Sequence, residues 1–120
     1  MDLIIGGAYQ GKLDYARREF GITDAEICVC TAETEPDITR RCLVHYEQYL
    51  LGALRRGETR YLGYRKDAVI IADDIFCGIV PMDPEVRAWR EQCGRALTAV
   101  AARAQTVTRL FCGLPMRIKE

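Results

Sequence analysis

Histidine is nearly absent from this chain of 120 residues, which contains one, and no two cysteines have the Cys-x-x-Cys spacing. The sequence therefore lacks the clustered ligands of a zinc site. No apolar run approaches the roughly 18 residues that are needed to cross a bilayer. Residues 1–6 lack the basic and long apolar regions of a secretory signal, so we expect a cytoplasmic location and no membrane span.

An excess of charge of either sign is also missing, because 17 lysines and arginines balance 17 aspartates and glutamates. Net charge thus gives no reason to expect nucleic acid or an anionic membrane as a partner. With 49% hydrophobic and 28% charged residues, the composition is that of a folded globular protein. The length fits one compact domain over residues 1–120.

Six cysteines are present, and three of them (Cys28, Cys30 and Cys112) fall in apolar, strand-like runs. A reduced cysteine behaves as a small hydrophobic residue and is among the most buried residue types. We therefore expect buried structural thiols rather than disulfides or metal ligands.

Short apolar runs alternate with segments of helical periodicity along the chain. The runs predict strands at residues 2–5, 26–30, 68–72, 106–112 and 116–119. The periodic segments predict helices at residues 12–20, 38–56 and 84–104. Gly21 and Gly57 are placed to end the first two helices, and Asp83 to cap the third. Strands that alternate with helices predict an α/β domain with a mainly parallel sheet.

A glycine-rich segment between the first predicted strand and helix matches most of a phosphate-binding loop. Gly6, Gly11 and Lys12 occupy the fixed positions of G-x-x-x-x-G-K-[S/T], but Leu13 replaces the hydroxyl residue that normally holds Mg²⁺. In such a loop, backbone N–H groups and the helix N-terminus bind phosphate oxygens, and the lysine reaches the β- and γ-phosphates. The candidate nucleotide-binding residues are Gly6, Gly7, Ala8, Tyr9, Gln10, Gly11, Lys12 and Leu13. From this segment alone, a glycine-rich turn with a solvated lysine is an equal alternative.

An acidic pair, Asp73 and Asp74, ends the apolar strand predicted at residues 68–72. In phosphate-loop enzymes an aspartate at such a strand end holds Mg²⁺, directly or through water. Both residues are therefore candidate Mg²⁺ ligands. The alternative is that they only terminate the strand, because aspartate is disfavoured in strands.

Four motifs follow one another in a recognisable order: Gly6 to Lys12, Gly78-Ile79-Val80-Pro81, Trp89-Arg90-Glu91 with Gly94-Arg95, and Gly113 to Lys119. In this order they resemble the bifunctional adenosylcobinamide kinase/adenosylcobinamide-phosphate guanylyltransferase family. The resemblance implies a three-layer phosphate-loop domain of the RecA/kinase type with a mainly parallel, reduced sheet. It also implies a purine nucleotide as ligand.

The resemblance further implies an activity in cobalamin biosynthesis. Family members phosphorylate a hydroxyl group of adenosylcobinamide with ATP or GTP, and then transfer GMP to that phosphate through a guanylyl-histidine. Carried over to this chain, Lys12 would stabilise the transferred phosphoryl group, and Asp73 would act in catalysis through Mg²⁺, with Asp74 beside it. His45 is the candidate for the guanylylated residue. The expected partners are a purine nucleotide and a cobinamide-type small molecule.

The middle of the chain is shorter than the family pattern, and two alignments of residues 38–54 remain open. In one, Arg41 to Tyr46 matches the histidine helix, so that His45 is the nucleophile. In the other, Cys42 to Leu51 matches a later helix, and the histidine segment is deleted. In both, His45 falls on the apolar stripe of a helix, where an imidazole packed in the core is the alternative to a catalytic role.

Two classes of function therefore remain. The first is a transferase, a nucleotide-dependent kinase or nucleotidyltransferase, for which guanylyl transfer is the less supported step. The second is a non-catalytic relative that acts as a regulatory or assembly partner, which is suggested by the loss of the Mg²⁺-binding hydroxyl at Leu13. The helix predicted at residues 38–56 is apolar over more than one face, so a homo-oligomer is also expected.

Overall fold

The computed structural model describes residues 1–75 and 82–120 of the chain. The strands are β1 (Asp2–Gly6), β2 (Ile27–Val29), β3 (Cys42–Val44), β4 (Val69–Asp73), β5 (Thr106–Phe111) and β6 (Leu114–Lys119). The helices are α1 (Lys12–Phe20), α2 (Tyr46–Arg55) and α3 (Pro84–Arg103), with a short 3₁₀ turn at Asp24–Glu26. Cys77 and the motif at residues 78–81 lie outside the described residues.

One sheet of six strands, in the order β2-β3-β4-β1-β5-β6, forms the centre of the molecule. The strand pairs are parallel except for β5 and β6, which form an antiparallel hairpin. The register of β1 and β4 places Gly6 opposite Asp73. The predicted α/β class and the mainly parallel sheet are confirmed, and within residues 1–75 and 82–120 the sheet has one strand more than predicted.

Helices cover both faces of this sheet. On one face α1 packs its Ala16 into a core with Ile71. On the other face α2 and α3 form a second core, to which Leu50 and Leu97 contribute. Because side chains alternate along a strand, β1 and β4 supply residues to both cores and are mostly buried. None of the described helices is long and apolar enough to cross a bilayer.

The helix predicted at residues 38–56 is wrong in its first half. Cys42–Val44 form strand β3 between β2 and β4, and α2 begins only at Tyr46. The three residues of β3 are buried because a central strand of a parallel sheet is covered on both faces. A run of three apolar residues fits either period, so pairing with two neighbouring strands decides the conformation. His45 therefore links a strand to a helix and does not lie on a helix face.

The helix ends predicted from capping residues are confirmed at two places. Gly21 ends α1 in a left-handed conformation with a φ of 65°, and its N–H donates to the Arg17 carbonyl. Asp83 caps α3 by accepting a hydrogen bond from the N–H of Glu85, with Pro84 in the first turn.

Three large apolar side chains of α2 pack inside the chain, where Tyr46, Tyr49 and Leu50 are buried. Leu51 and Leu54 of the same helix are half-buried. The expected homo-oligomer remains a prediction, and the three buried side chains offer no surface for it. Large apolar side chains are instead exposed on the β5–β6 hairpin: Phe111, Leu114, Met116 and Ile118.

The expectation of buried thiols is right for three cysteines and wrong for Cys112. The five cysteines of the described residues are free, and Cys30, Cys42 and Cys93 are buried. Burial raises the pKa of Cys30 and of Cys93 to about 12, and that of Cys42 to about 11. Cys112 lies in the exposed turn between β5 and β6, with a φ of 52°, and Cys28 is half-buried.

We expect iodoacetamide to modify Cys112 in the native chain at least about tenfold faster than Cys30, Cys42 or Cys93, because an exposed thiolate is the reactive species. Peptide mass spectrometry after short labelling times measures these rates separately. In denaturant the rates should converge. Equal native rates at Cys112 and Cys42 would contradict the burial of Cys42 in β3.

Candidate functional site

The carboxyl ends of β3, β4 and β1 meet at one edge of the sheet, which is where open α/β sheets bind ligands. A cavity of about 520 Å³ opens there. The lining residues come from residues 8–14, from the ends of β3 and β4, and from the residue after β3: Ala8, Tyr9, Gln10, Gly11, Lys12, Leu13, Asp14, Val44, His45, Ile71 and Asp73. Residues 7–11, called the glycine loop below, thus form part of the wall of a cavity of ligand size.

Two glycines are required where the glycine loop joins β1 and α1. A Cβ atom on Gly6 would lie 2.6 Å from the carbonyl oxygen of Leu110, so a larger residue does not fit beside β5. Gly11 precedes α1 with a φ of 86°, a conformation that glycine adopts without strain. Tyr9 at the tip also has a positive φ, 58°, and its side chain is exposed. The sequence motif therefore coincides with a strand–loop–helix turn in which Gly6 and Gly11 are needed for steric and conformational reasons.

Gln10 ties the glycine loop to the β5–β6 hairpin. Its backbone oxygen accepts a hydrogen bond from the N–H of Gly113 at 3.1 Å, and its side-chain oxygen accepts one from the N–H of Cys112. Gly113 begins the last of the four sequence motifs, so the first and last motifs meet in space. Through these two hydrogen bonds Gln10 fixes the position of the glycine loop against the hairpin. The sequence motif alone does not indicate this role for Gln10.

Lys12 and Asp73 form a direct ion pair at the floor of the cavity. The Lys12 Nζ atom lies 2.8 Å from Asp73 Oδ1 and donates to the carbonyl oxygen of Gly7 at 2.6 Å. The Lys12 side chain is only 7% exposed, so it is not the solvated lysine of an ordinary turn. The parallel register of β1 and β4 explains the contact, because it brings the start of the glycine loop beside the end of β4.

Glu47 is a site residue that the sequence analysis missed. It lies in the first turn of α2, is 2% exposed, and accepts hydrogen bonds from the N–H groups of Asp73 at 2.7 Å and of Gln48 at 3.1 Å. Its backbone oxygen accepts from the Trp89 indole at 2.8 Å, which links it to α3. Burial raises the pKa of Glu47, and the nearby Asp73 carboxylate adds to this. The sequence did carry one signal for this residue: a glutamate between two tyrosines in an otherwise apolar segment indicates a buried carboxylate.

His45 stands at the end of β3, immediately before α2, with a left-handed φ of 59°. Its side chain is 45% exposed and lines the cavity, so the interpretation as a histidine packed on a helix face is wrong. The Nδ1 atom lies 3.6 Å from Glu47 Oε2 and 3.7 Å from Asp73 Oδ2. The structure therefore brings His45, Lys12 and Asp73 together, as a catalytic role for these residues requires.

Asp74 takes part in a different set of contacts. Its N–H donates to the carbonyl oxygen of Gly6 at 2.7 Å, and its carboxylate lies 3.6 Å from the Arg109 guanidinium. It lines a second cavity on the α3 side of the sheet, and it is not among the residues that line the cavity of the glycine loop. Of the acidic pair, Asp73 is the residue that the fold brings to Lys12.

The side chains around Asp73 offer atoms that can ligate a cation. Ligating atoms of His45, Glu47 and Asp73 all lie within 4.8 Å of one another. Leu13 lines the same cavity and packs against the α1 side of the sheet, and it has no oxygen to offer. A metal ion bound by this group would take its side-chain ligands from the residue after β3, from the end of β4 and from α2.

A comparison with known families gives an independent result. The family model described as cobinamide kinase / cobinamide phosphate guanyltransferase matches residues 39–118, two thirds of the chain. The matched segment contains His45, Glu47 and Asp73, while the glycine loop lies before it. Among curated proteins, the sequence comparison found no match. The chain belongs to the cobinamide kinase / cobinamide phosphate guanyltransferase family.

Proposed function

We propose that the chain binds a purine nucleoside triphosphate, ATP or GTP, and transfers its γ-phosphoryl group to a cobinamide-type alcohol in cobalamin biosynthesis. Membership of the family supports a cobinamide kinase-like role. The observation that carries the proposal is the 2.8 Å contact between Lys12 and Asp73 beside the glycine loop. A lysine at the start of the helix that follows one strand, and an acid at the end of the neighbouring parallel strand, are the two charged groups that a phosphate-loop site requires.

Phosphates would bind to backbone N–H groups of the glycine loop and to the N-terminus of α1. Lys12 would leave Gly7 and Asp73 and place its charge on the β- and γ-phosphates. There it would stabilise the negative charge that develops as the phosphoryl group is transferred, usually the main contribution of the protein in such reactions.

Mg²⁺ fits this arrangement through Asp73. The ion is commonly held by one or two carboxylates, with phosphate oxygens and water in the other positions. Asp73 can supply such an oxygen, while Leu13 cannot, and Asp74 is engaged near Arg109. When bound, Mg²⁺ would neutralise negative charge on the phosphates.

Guanylyl transfer has less support in this site. Covalent transfer of GMP needs a nucleophile that reaches the α-phosphate. His45 lies beside Asp73, which also contacts Lys12, and a phosphate-loop lysine binds the β- and γ-phosphates. We therefore place His45 near the γ-phosphate and propose that it forms no guanylyl intermediate.

A non-catalytic relative is the second candidate, and Leu13 is the observation that favours it. Leu13 has no oxygen, so the hydroxyl ligand that phosphate loops offer to the metal ion is missing. Nucleotide binding without phosphoryl transfer to any cobinamide substrate would support this candidate over the kinase.

We expect Lys12→Ala to weaken binding of Mg·ATP or Mg·GTP at least about tenfold, or about 1.4 kcal/mol, because a charge-assisted contact to phosphate is lost. Isothermal titration calorimetry with and without Mg²⁺ measures this.

Lys66→Ala is the matched control, since Lys66 is exposed near the opposite edge of the sheet, where its carbonyl oxygen accepts from the N-terminus. Thermal unfolding of both variants checks that the fold is intact. Equal affinities in the wild-type chain and Lys12→Ala would refute the phosphate site.

We expect no GMP to remain on the protein after incubation with GTP labelled at the α-phosphate, because His45 faces the wrong phosphate. The protein is denatured in alkali, which preserves a histidine phosphoramidate, and retained label is counted. Retained label that disappears in His45→Ala would show that His45 is the guanylylated nucleophile and would overturn this part of the proposal.

A further inference from the structure

The three side chains His45, Glu47 and Asp73 are spaced like the ligands of one metal ion. The His45 Nδ1 atom is 3.6 Å from Glu47 Oε2 and 3.7 Å from Asp73 Oδ2, too far for strong hydrogen bonds. Metal–ligand bonds of about 2.0–2.2 Å at tetrahedral angles separate neighbouring ligand atoms by about 3.3–3.6 Å. The two separations from His45 are therefore close to those around a bound ion, and the three ligand atoms all lie within 4.8 Å of one another.

The backbone at His45 is held in a conformation that a ligand role would explain. A positive φ is uncommon for residues other than glycine, and it costs free energy. His45 occupies the N-cap position of α2, yet its side chain makes no capping hydrogen bond to the helix. The strained turn instead directs the imidazole toward the two carboxylates.

Both carboxylates are fixed in place by other contacts. Glu47 is 2% exposed, and its Oε1 accepts the Asp73 N–H at 2.7 Å while Oε2 accepts the Gln48 N–H at 3.1 Å. Asp73 is held through Oδ1, which lies 2.8 Å from Lys12, so that Oδ2 is the oxygen near His45. Outer contacts of this kind orient metal ligands before the ion arrives.

The charges also favour a cation. Two carboxylates lie close together, Asp73 in the lining of the cavity and Glu47 buried beside it. Lys12 contacts only one of them, Asp73, in the described part of the chain. A buried carboxylate without a full counter-charge is costly. A divalent ion between Glu47 and Asp73 would supply that charge without breaking the Lys12–Asp73 contact, because it would use the other oxygen of Asp73.

We propose that His45, Glu47 and Asp73 form a binding site for a divalent transition-metal ion such as Mn²⁺, Co²⁺ or Zn²⁺, occupied in the absence of nucleotide. An imidazole and two carboxylates bind these ions, whereas Mg²⁺ prefers oxygen ligands and keeps its water. His45 and Asp73 line the cavity, so a bound ion would be reached from it.

Titration of the metal-stripped full-length chain with Co²⁺, without nucleotide, tests this. We expect saturable binding of one ion, with visible d–d absorption and no thiolate charge-transfer band, because the ligands are nitrogen and oxygen. Mg²⁺ should compete at least about tenfold less effectively than Zn²⁺. A thiolate band would instead place the ion on the cysteines and overturn the assignment.

Two variants separate ligand loss from misfolding. His45→Gly removes the imidazole but suits the positive φ, so Co²⁺ affinity should fall at least about tenfold while thermal stability is kept. Asp74→Asn changes the neighbouring acid that is outside the three ligands, and should leave Co²⁺ affinity unchanged.

Unaltered Co²⁺ affinity in His45→Gly, or a loss in Asp74→Asn equal to that in Asp73→Asn, would overturn the proposed ligand set, as would the absence of saturable binding by the wild-type chain. Because no nucleotide is present, these outcomes are independent of whether the glycine loop binds phosphate.

Discussion

The parallel register of β1 and β4 is the constraint on which the site depends. It sets Gly6 opposite Asp73, so that the strand leading into the glycine loop lies beside the strand that ends in a carboxylate. Lys12, at the start of α1, then contacts Asp73 directly. A shift of one residue would turn the Asp73 side chain to the opposite face of the sheet and separate it from Lys12. Burial of both faces of β4 fixes the register.

Most of the fold can be predicted from the sequence, because its long elements carry consistent local signals. α1 and α3 have apolar periodicity together with Gly21 and Asp83 at their ends. β3 has no such signal, since its three residues match a helical and a strand period equally well. Its conformation depends on pairing with β2 and β4, which are distant in sequence. Local periodicity therefore predicts one helix over residues 38–56, where the chain forms β3 and α2.

The difference between local signals and long-range pairing also decides which site residues can be predicted from the sequence. The glycine loop can be found from spacing alone, because its glycines and Lys12 are consecutive in sequence. Asp73 can be found because acids at strand ends meet at one edge of a parallel sheet. Glu47 and the orientation of His45 cannot, because both depend on where β3 ends and α2 begins. Once β3 is a strand, His45 follows its carboxyl end and stands beside Asp73 for the same topological reason.

The charges of the site link the two proposals. A nucleotide that bound without a metal ion would draw Lys12 away from Asp73. The phosphates of the nucleotide would then face the carboxylates of Asp73 and Glu47, and this repulsion between negative charges is strong where the dielectric constant is low. A divalent ion held by those carboxylates would remove this repulsion, because its positive charge would lie between the carboxylates and the phosphates and attract both. The ion would then be a condition for nucleotide binding rather than its consequence. The loop lacks the usual hydroxyl ligand, because Leu13 stands in its place. The ion would instead be bound by three side chains outside the loop: His45, Glu47 and Asp73.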